Sequence, residues 1–128
     1  MASFISIYLV IVVWSSIMAA ATVSKSSTEF EAEALLSSGL WLAYNAKNTS
    51  GHCKCPGIAC NDAGSVIKIS RPNSFIMGDV LRRFNLSSFP KLIYLNLSGN
   101  ELNGSIPSQI GVVSKLRYLD LSRNNLTG

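Results

Sequence analysis

The chain has 128 residues, 48% of them hydrophobic and 14% charged, with eleven Lys and Arg against seven Asp and Glu for a formal net charge of +4. A chain of this length holds one small domain and has no room for a kinase or dinucleotide-binding domain beside anything else. Its basic side chains are scattered, with Arg82-Arg83 the one adjacent pair, which is too little for a nucleic-acid footprint.

No charged side chain occurs from Met1 to Ser24, and Ile5 to Trp14 is almost wholly apolar. This run, followed by Ala19-Ala20-Ala21 and a polar Ser/Thr stretch, has the layout of a secretory signal peptide over residues 1–21, cut after Ala21. It departs from that layout in lacking Lys or Arg ahead of the apolar run. A retained membrane anchor is the alternative, weakened by Ser15, Ser16 and the alanines. Export places the mature chain outside the cell or on the outer face of the plasma membrane. Five Asn-x-Ser/Thr triplets, at Asn48, Asn85, Asn96, Asn103 and Asn125, are candidate N-glycosylation sites in that setting.

Residues 22–64 read as a cap. Glu29 to Tyr44 carries Phe30, Ala34, Leu35, Leu40 and Leu42 with acidic residues early, which suits a helix, and Ser27 and Thr28 are available to cap it. The loop Cys53-Lys54-Cys55-Pro56-Gly57-Ile58-Ala59-Cys60 follows, in a compartment where disulfides persist. Three cysteines beside His52 invite a zinc reading, but the one-residue gap between Cys53 and Cys55 does not match the usual ligand loops, so no metal is expected. A Cys/His nucleophilic pair is weaker still, because His52 adjoins Cys53 and the sequence places no orienting carboxylate.

The remainder repeats. Leu92/Leu116, Leu95/Leu119, Leu97/Leu121, Asn100/Asn124, Leu102/Leu126 and Gly104/Gly128 are each 24 residues apart. Leu-x-x-Leu-x-Leu-x-x-Asn-x-Leu, seen twice, is the leucine-rich repeat pattern, in which each unit is a short strand and a return segment. Leu95 and Leu97 share the inner face of a strand, Leu92, Leu102 and Ile106 are expected to fill the core from the turns, and the Asn100 amide to satisfy backbone groups where the chain bends. A degenerate first repeat occupies 65–91, where Val66 and Ile69 align with Leu92 and Leu95 at a spacing of 26, and Arg71 and Ser74 stand where Leu97 and Asn100 would. Within it, Val80, Leu81, Phe84, Leu86 and Phe89 have the spacing of a short helical turn on the convex side. Residues 92–115 form a full repeat and 116–128 an incomplete one. The expected fold is an α/β solenoid of leucine-rich repeats behind an N-terminal helical cap, the cap covering apolar core that an open solenoid end would expose.

From about Thr28 to Gly128 the chain resembles the ectodomains of plant leucine-rich-repeat receptor-like kinases and related extracellular proteins. The residues that carry the likeness are Glu31-Ala32-Glu33-Ala34-Leu35-Leu36 with Trp41, then Cys53 to Cys60 with Gly57 and Ile58, then Asn100-Glu101-Leu102-Asn103-Gly104-Ser105-Ile106-Pro107. The resemblance implies a Cys53–Cys60 disulfide in the cap. Cys55 stands where the family has Trp, which leaves an odd thiol and removes an aromatic plug. It further implies a non-catalytic recognition role, the N-terminal part of a receptor-like kinase ectodomain that perceives extracellular peptide or wall signals. Its partners are then an extracellular protein or peptide and a co-receptor. The same cap and repeat occur in secreted polygalacturonase inhibitors, so a small secreted binding protein or decoy, or a truncated product without independent function, is the alternative. No Gly-rich phosphate loop, His-Arg-Asp or Asp-Phe-Gly is present, so the chain itself is not expected to transfer phosphate or hold a cofactor. Membrane contact is expected only through an uncleaved signal or a further C-terminal part. The strand positions that alternate with the buried leucines, Tyr94, Asn96, Ser98 and Gly99 in one repeat and Tyr118, Asp120, Ser122 and Arg123 in the next, stack into rows on the concave face and are the candidate binding surface, the alternative being plain solvated positions with no partner.

Overall fold

The computed structural model describes residues 23–41 and 49–128. The expected signal segment 1–21, the Asn48 sequon and the stretch from Leu42 to Tyr44 lie outside them. Among the described residues, no helix is long and apolar enough to cross a membrane.

Helix α1 spans Ser27–Ser37. Its N-cap is Ser26, one residue ahead of the expected Ser27 and Thr28, because only a residue three before Glu29 can close a capping box. The Ser26 hydroxyl accepts from the Glu29 N–H at 3.3 Å, and the Glu29 carboxylate accepts from the Ser26 N–H at 2.8 Å. The helix ends well short of Tyr44, at the Ser38 C-cap and a left-handed Gly39. It buries Ala32, Ala34 and Leu35 together with the charged Glu31, while Phe30 is exposed rather than packed inward.

Strands β1 (Ile58–Cys60) and β2 (Val66–Ser70) form an antiparallel hairpin. Asn61 Oδ1 accepts from the N–H groups of Ala63 (3.1 Å) and Ser65 (3.0 Å), which shapes its turn. Just before β1, a Cβ on Gly57 would lie 2.0 Å from the Ser70 carbonyl oxygen, so glycine is required for the loop to reach the sheet.

From β2 onward the chain coils. Strand β3 (Met77–Gly78) and helix α2 (Val80–Arg83) complete the first coil, β4 (Tyr94–Asn96) and β5 (Glu101–Leu102) belong to the second, and β6 (Tyr118–Asp120) opens the third. The main sheet runs β1-β2-β4-β6, with β2, β4 and β6 parallel. Ile69 pairs with Leu95, at the 26-residue spacing, and Leu95 with Leu119, at 24. A second, short parallel ladder joins β3 to β5 on the far side of the coil. Between the ladders lie Val66, Ile69, Leu81, Leu86, Phe89, Leu92, Leu95, Leu97 and Leu102, all fully buried, with α2 and its following turn closing the convex side.

The turn between the ladders carries an amide ladder. Asn100 Nδ2 donates to the carbonyl of Leu97 in its own coil (2.8 Å) and of Arg71 in the preceding one (2.9 Å), while its Oδ1 accepts from the N–H groups of Ser74 (2.9 Å) and Ile76 (3.1 Å). Asn124 repeats the arrangement, donating to Leu121 (3.0 Å) and Leu97 (2.9 Å) and accepting from Leu102 (3.1 Å). Left-handed backbone recurs at the same stations of each coil. Asn73, Gly99 and Arg123 make one such column, and Gly78, Gly104 and Gly128 another. At Gly104 a Cβ would also lie 2.5 Å from an Asp79 carboxylate oxygen, which explains the glycine of the repeat twice over.

Two expected core positions differ. Ile106 is 39% exposed, because Val113, with Ile110 packed beside it, fills that side of the core. Arg71, at the station of Leu97, turns its guanidinium over the Trp41 ring at 5.5 Å and so covers the cap–coil seam.

Replacing Asn100 by Ala strands buried backbone groups in two coils and is expected to cost about 2–4 kcal/mol, read as a shift in the urea midpoint, with Asn124→Ala costing less because its side chain is less buried.

Candidate functional site

The parallel strands β2, β4 and β6 set equivalent side chains side by side on the concave face. Lys68, Tyr94 and Tyr118 form one row. The Tyr94 and Tyr118 rings stack with centroids 4.2 Å apart and planes 3° from parallel, and Lys68 Nζ sits 4.9 Å from the Tyr94 centroid. Tyr118 is 42% exposed. Ser70, Asn96 and Asp120 make the adjoining row.

Asn96 and Asp120 also shape the chain. Asn96 Oδ1 accepts from the Ser98 N–H (3.0 Å) and hydroxyl (2.8 Å), and Asp120 Oδ1 from the same groups of Ser122 (3.0 and 2.6 Å). These bonds from Ser122, the hydroxyl first, hold the Asp120 carboxyl below its usual range. The Tyr118 phenol is pushed up, chiefly by the Tyr94 hydroxyl alongside it. Ser98 is a correction: expected to face solvent, it is 3% exposed, drawn down by its bonds to Asn96. Tyr94 and Asn96 are half-buried, whereas Tyr118, Ser122 and Arg123 are open. Lys68 and Ser70 escaped the sequence reading of this face, although the 26-residue alignment sets them at the stations of Tyr94 and Asn96. Of the sequons, Asn85, Asn103 and Asn125 are exposed, and Asn96 is half-buried with its amide engaged.

A second cluster lies in the cap. The Cys53–Cys60 disulfide is formed, with Cα atoms 5.7 Å apart, and Cys55 is free and buried, which pushes its thiol up. His52, 9% exposed, places Nε2 within 3.2 Å of the Gly64 carbonyl, 3.5 Å of Cys53 Sγ and 3.7 Å of Glu31 Oε2. Glu31, fully buried on α1, accepts from the Val66 N–H at 2.9 Å and so ties the cap helix to the first coil. Desolvation raises its carboxyl above the ordinary value, with the Val66 bond and His52 opposing. Among the described residues, Glu31 Oε1 and His52 Nδ1 have no hydrogen-bond partner. The carboxylate that the sequence did not place beside His52 is thus supplied from 21 residues upstream, a distance no local motif spans. His52 Nε2 and the sulfurs of Cys53 and Cys60 lie within 4.8 Å of one another, but the two sulfurs are bonded to each other and so are not free as metal ligands.

Residues 78–126 match the leucine-rich repeat family model. The chain is 36% identical over 104 residues to the leucine-rich repeat receptor-like serine/threonine-protein kinase RGI4 of Arabidopsis thaliana, a match covering 81% of this chain and 9% of that protein. This is a leucine-rich-repeat chain of the plant receptor-kinase ectodomain type. The chain is also 34% identical over 86 residues to phytosulfokine receptor 1 of the same plant, over 66% of this chain and 8% of the receptor. Among solved structures it is similar to the leucine-rich-repeat ectodomain of the Arabidopsis thaliana receptor kinase SOBIR1, at 19% identity and a TM-score of 0.46, covering 82% of this chain and 71% of that one. The leucine-rich-repeat chain spans about a tenth of the length of the curated receptor kinases it matches.

Because the Glu31 carboxyl is raised, its protonated form is favoured by folding. Its contribution to stability is present in full below the ordinary glutamate value and is lost as pH climbs through the raised one. Melting temperatures measured from about pH 4 to about pH 7 are expected to fall more steeply for the parent chain than for Glu31→Gln, which keeps an acceptor for the Val66 N–H but does not titrate.

Proposed function

We propose that this chain is a non-catalytic extracellular recognition module whose concave strand face takes a protein or peptide, as the N-terminal part of a leucine-rich-repeat receptor-like kinase ectodomain. The reading rests chiefly on the Lys68–Tyr94–Tyr118 row, an aromatic platform held in register by three parallel strands and open at Tyr118. Stacked tyrosines with a cation at one end and the Asn96/Asp120 row alongside suit an extended peptide. The rings pack against its side chains, and the amide and carboxylate meet its backbone and cationic groups. Support comes from the repeat match and from the similarity to receptor kinases, one of them named a phytosulfokine receptor. The outer face of the plasma membrane is the location this reading requires, with a co-receptor as a second partner.

The full-length message tests the receptor assignment: continuation into further repeats, a membrane helix and a kinase domain supports it, and a stop codon after Gly128 favours a small secreted binding protein. For the face itself, the probe is the peptide fraction secreted by plant cell cultures, presented to the intact chain in photo-crosslinking. Tyr118→Ser, which leaves the core untouched, is expected to reduce capture at least about tenfold with an unchanged melting temperature, in line with loss of one aromatic anchor. Equal capture by the variant would move recognition off this row.

A further inference from the structure

We propose that the Cys53–Cys60 bond is a thiol-exchange site: a small thiol of the glutathione class attacks Cys60 Sγ, and Cys53 leaves as a thiolate held by the His52 imidazole. Three observations lead there. First, among the described residues His52 Nε2 faces the Gly64 carbonyl at 3.2 Å, Cys53 Sγ at 3.5 Å and Glu31 Oε2 at 3.7 Å. A proton on Nε2 serves the Gly64 carbonyl first and lies within reach of the Cys53 sulfur. Second, the pair is not satisfied as a purely structural clamp. Glu31 Oε1 and His52 Nδ1 are buried without partners among the described residues while the disulfide is closed. A thiolate at Cys53 gives the imidazole N–H a charged acceptor in place of a neutral disulfide sulfur. Third, an open cavity of about 370 Å3 lined by Ser26, Glu29, His52, Cys53 and Gly64 brings water to this sulfur. Cys60 is half-buried on β1, the edge strand of the main sheet, with its inner side against the core, so a thiol must approach it from the open edge.

The step balances without any other reagent. The attacking thiolate forms a bond to Cys60 Sγ as the Cys53–Cys60 bond breaks, its proton having gone to solvent. The products are a mixed disulfide on Cys60 and a Cys53 thiolate accepting the Nε2–H hydrogen bond. A second thiol, or Cys53 itself, resolves the mixed disulfide. Stabilising the leaving thiolate directs attack to the other sulfur and speeds it. Because the bridged loop adjoins the Glu31–Val66 tie, exchange there loosens the joint between cap and first coil.

The test uses the intact chain with reduced glutathione, quenched by alkylation and mapped by mass spectrometry. The expected product carries glutathione on Cys60 and the alkyl group on Cys53. His52→Gln is expected to slow its formation about fivefold, because the ring N–H beside the departing Cys53 sulfur is lost. Glutathione on Cys53 with Cys60 alkylated overturns the proposal, and that result is read from the parent chain alone, so it stands even where a variant folds poorly. An unchanged rate in folded His52→Gln overturns it as well.

Discussion

The coil turns because an asparagine amide can serve two coils at once. Each time the chain leaves a concave strand it must bend inward, bringing peptide groups into a core lined by leucine, where an unpaired N–H or carbonyl is costly. Asn100 answers with donors to Leu97 and Arg71 and an acceptor for Ser74 and Ile76, and Asn124 does the same one coil later. Because each amide bonds both its own coil and the one before, it sets how far one coil is displaced from the next. The strand register, the leucine stacking and the rows on the concave face all follow from that displacement.

The rows owe their geometry to the same stacking. Tyr94 and Tyr118 meet face to face because β4 and β6 are parallel and in register. Antiparallel strands would not repeat one station at every coil. The polar row beside them does double duty. Asn96 and Asp120 present polar atoms on the concave face while accepting from the serine two residues on, which ends each strand at the same place. A surface built this way extends by one station per coil, and its chemistry is chosen residue by residue without disturbing the core.

The cap obeys a different rule. It meets the first coil where Ser74 stands in place of the ladder asparagine and Arg71 in place of a core leucine. The joint is therefore made with charge: Glu31 on the Val66 N–H, His52 beside it, Arg71 over Trp41. Buried polar joints of this kind respond to protonation and to neighbouring chemistry in a way that stacked leucines do not. This end of the solenoid is therefore the one sensitive to its surroundings.

What the sequence determined by itself is whatever repeats or acts locally: the 24-residue period, the buried leucines, the inward-turning asparagines, the recurring glycine, and the worn first repeat with its 26-residue spacing. These are legible because a solenoid makes each position meet its own counterpart one period away, so a one-dimensional pattern encodes a three-dimensional neighbour. The tertiary structure alone decided the placements that no period relates. Glu31 reaches His52 across 21 residues, Val113 rather than Ile106 fills a side of the core, Ser98 is buried by its bonds to Asn96, and Phe30 faces out while a glutamate faces in. Each depends on where one element comes to rest against another, and burial decides polarity there only after the packing is complete.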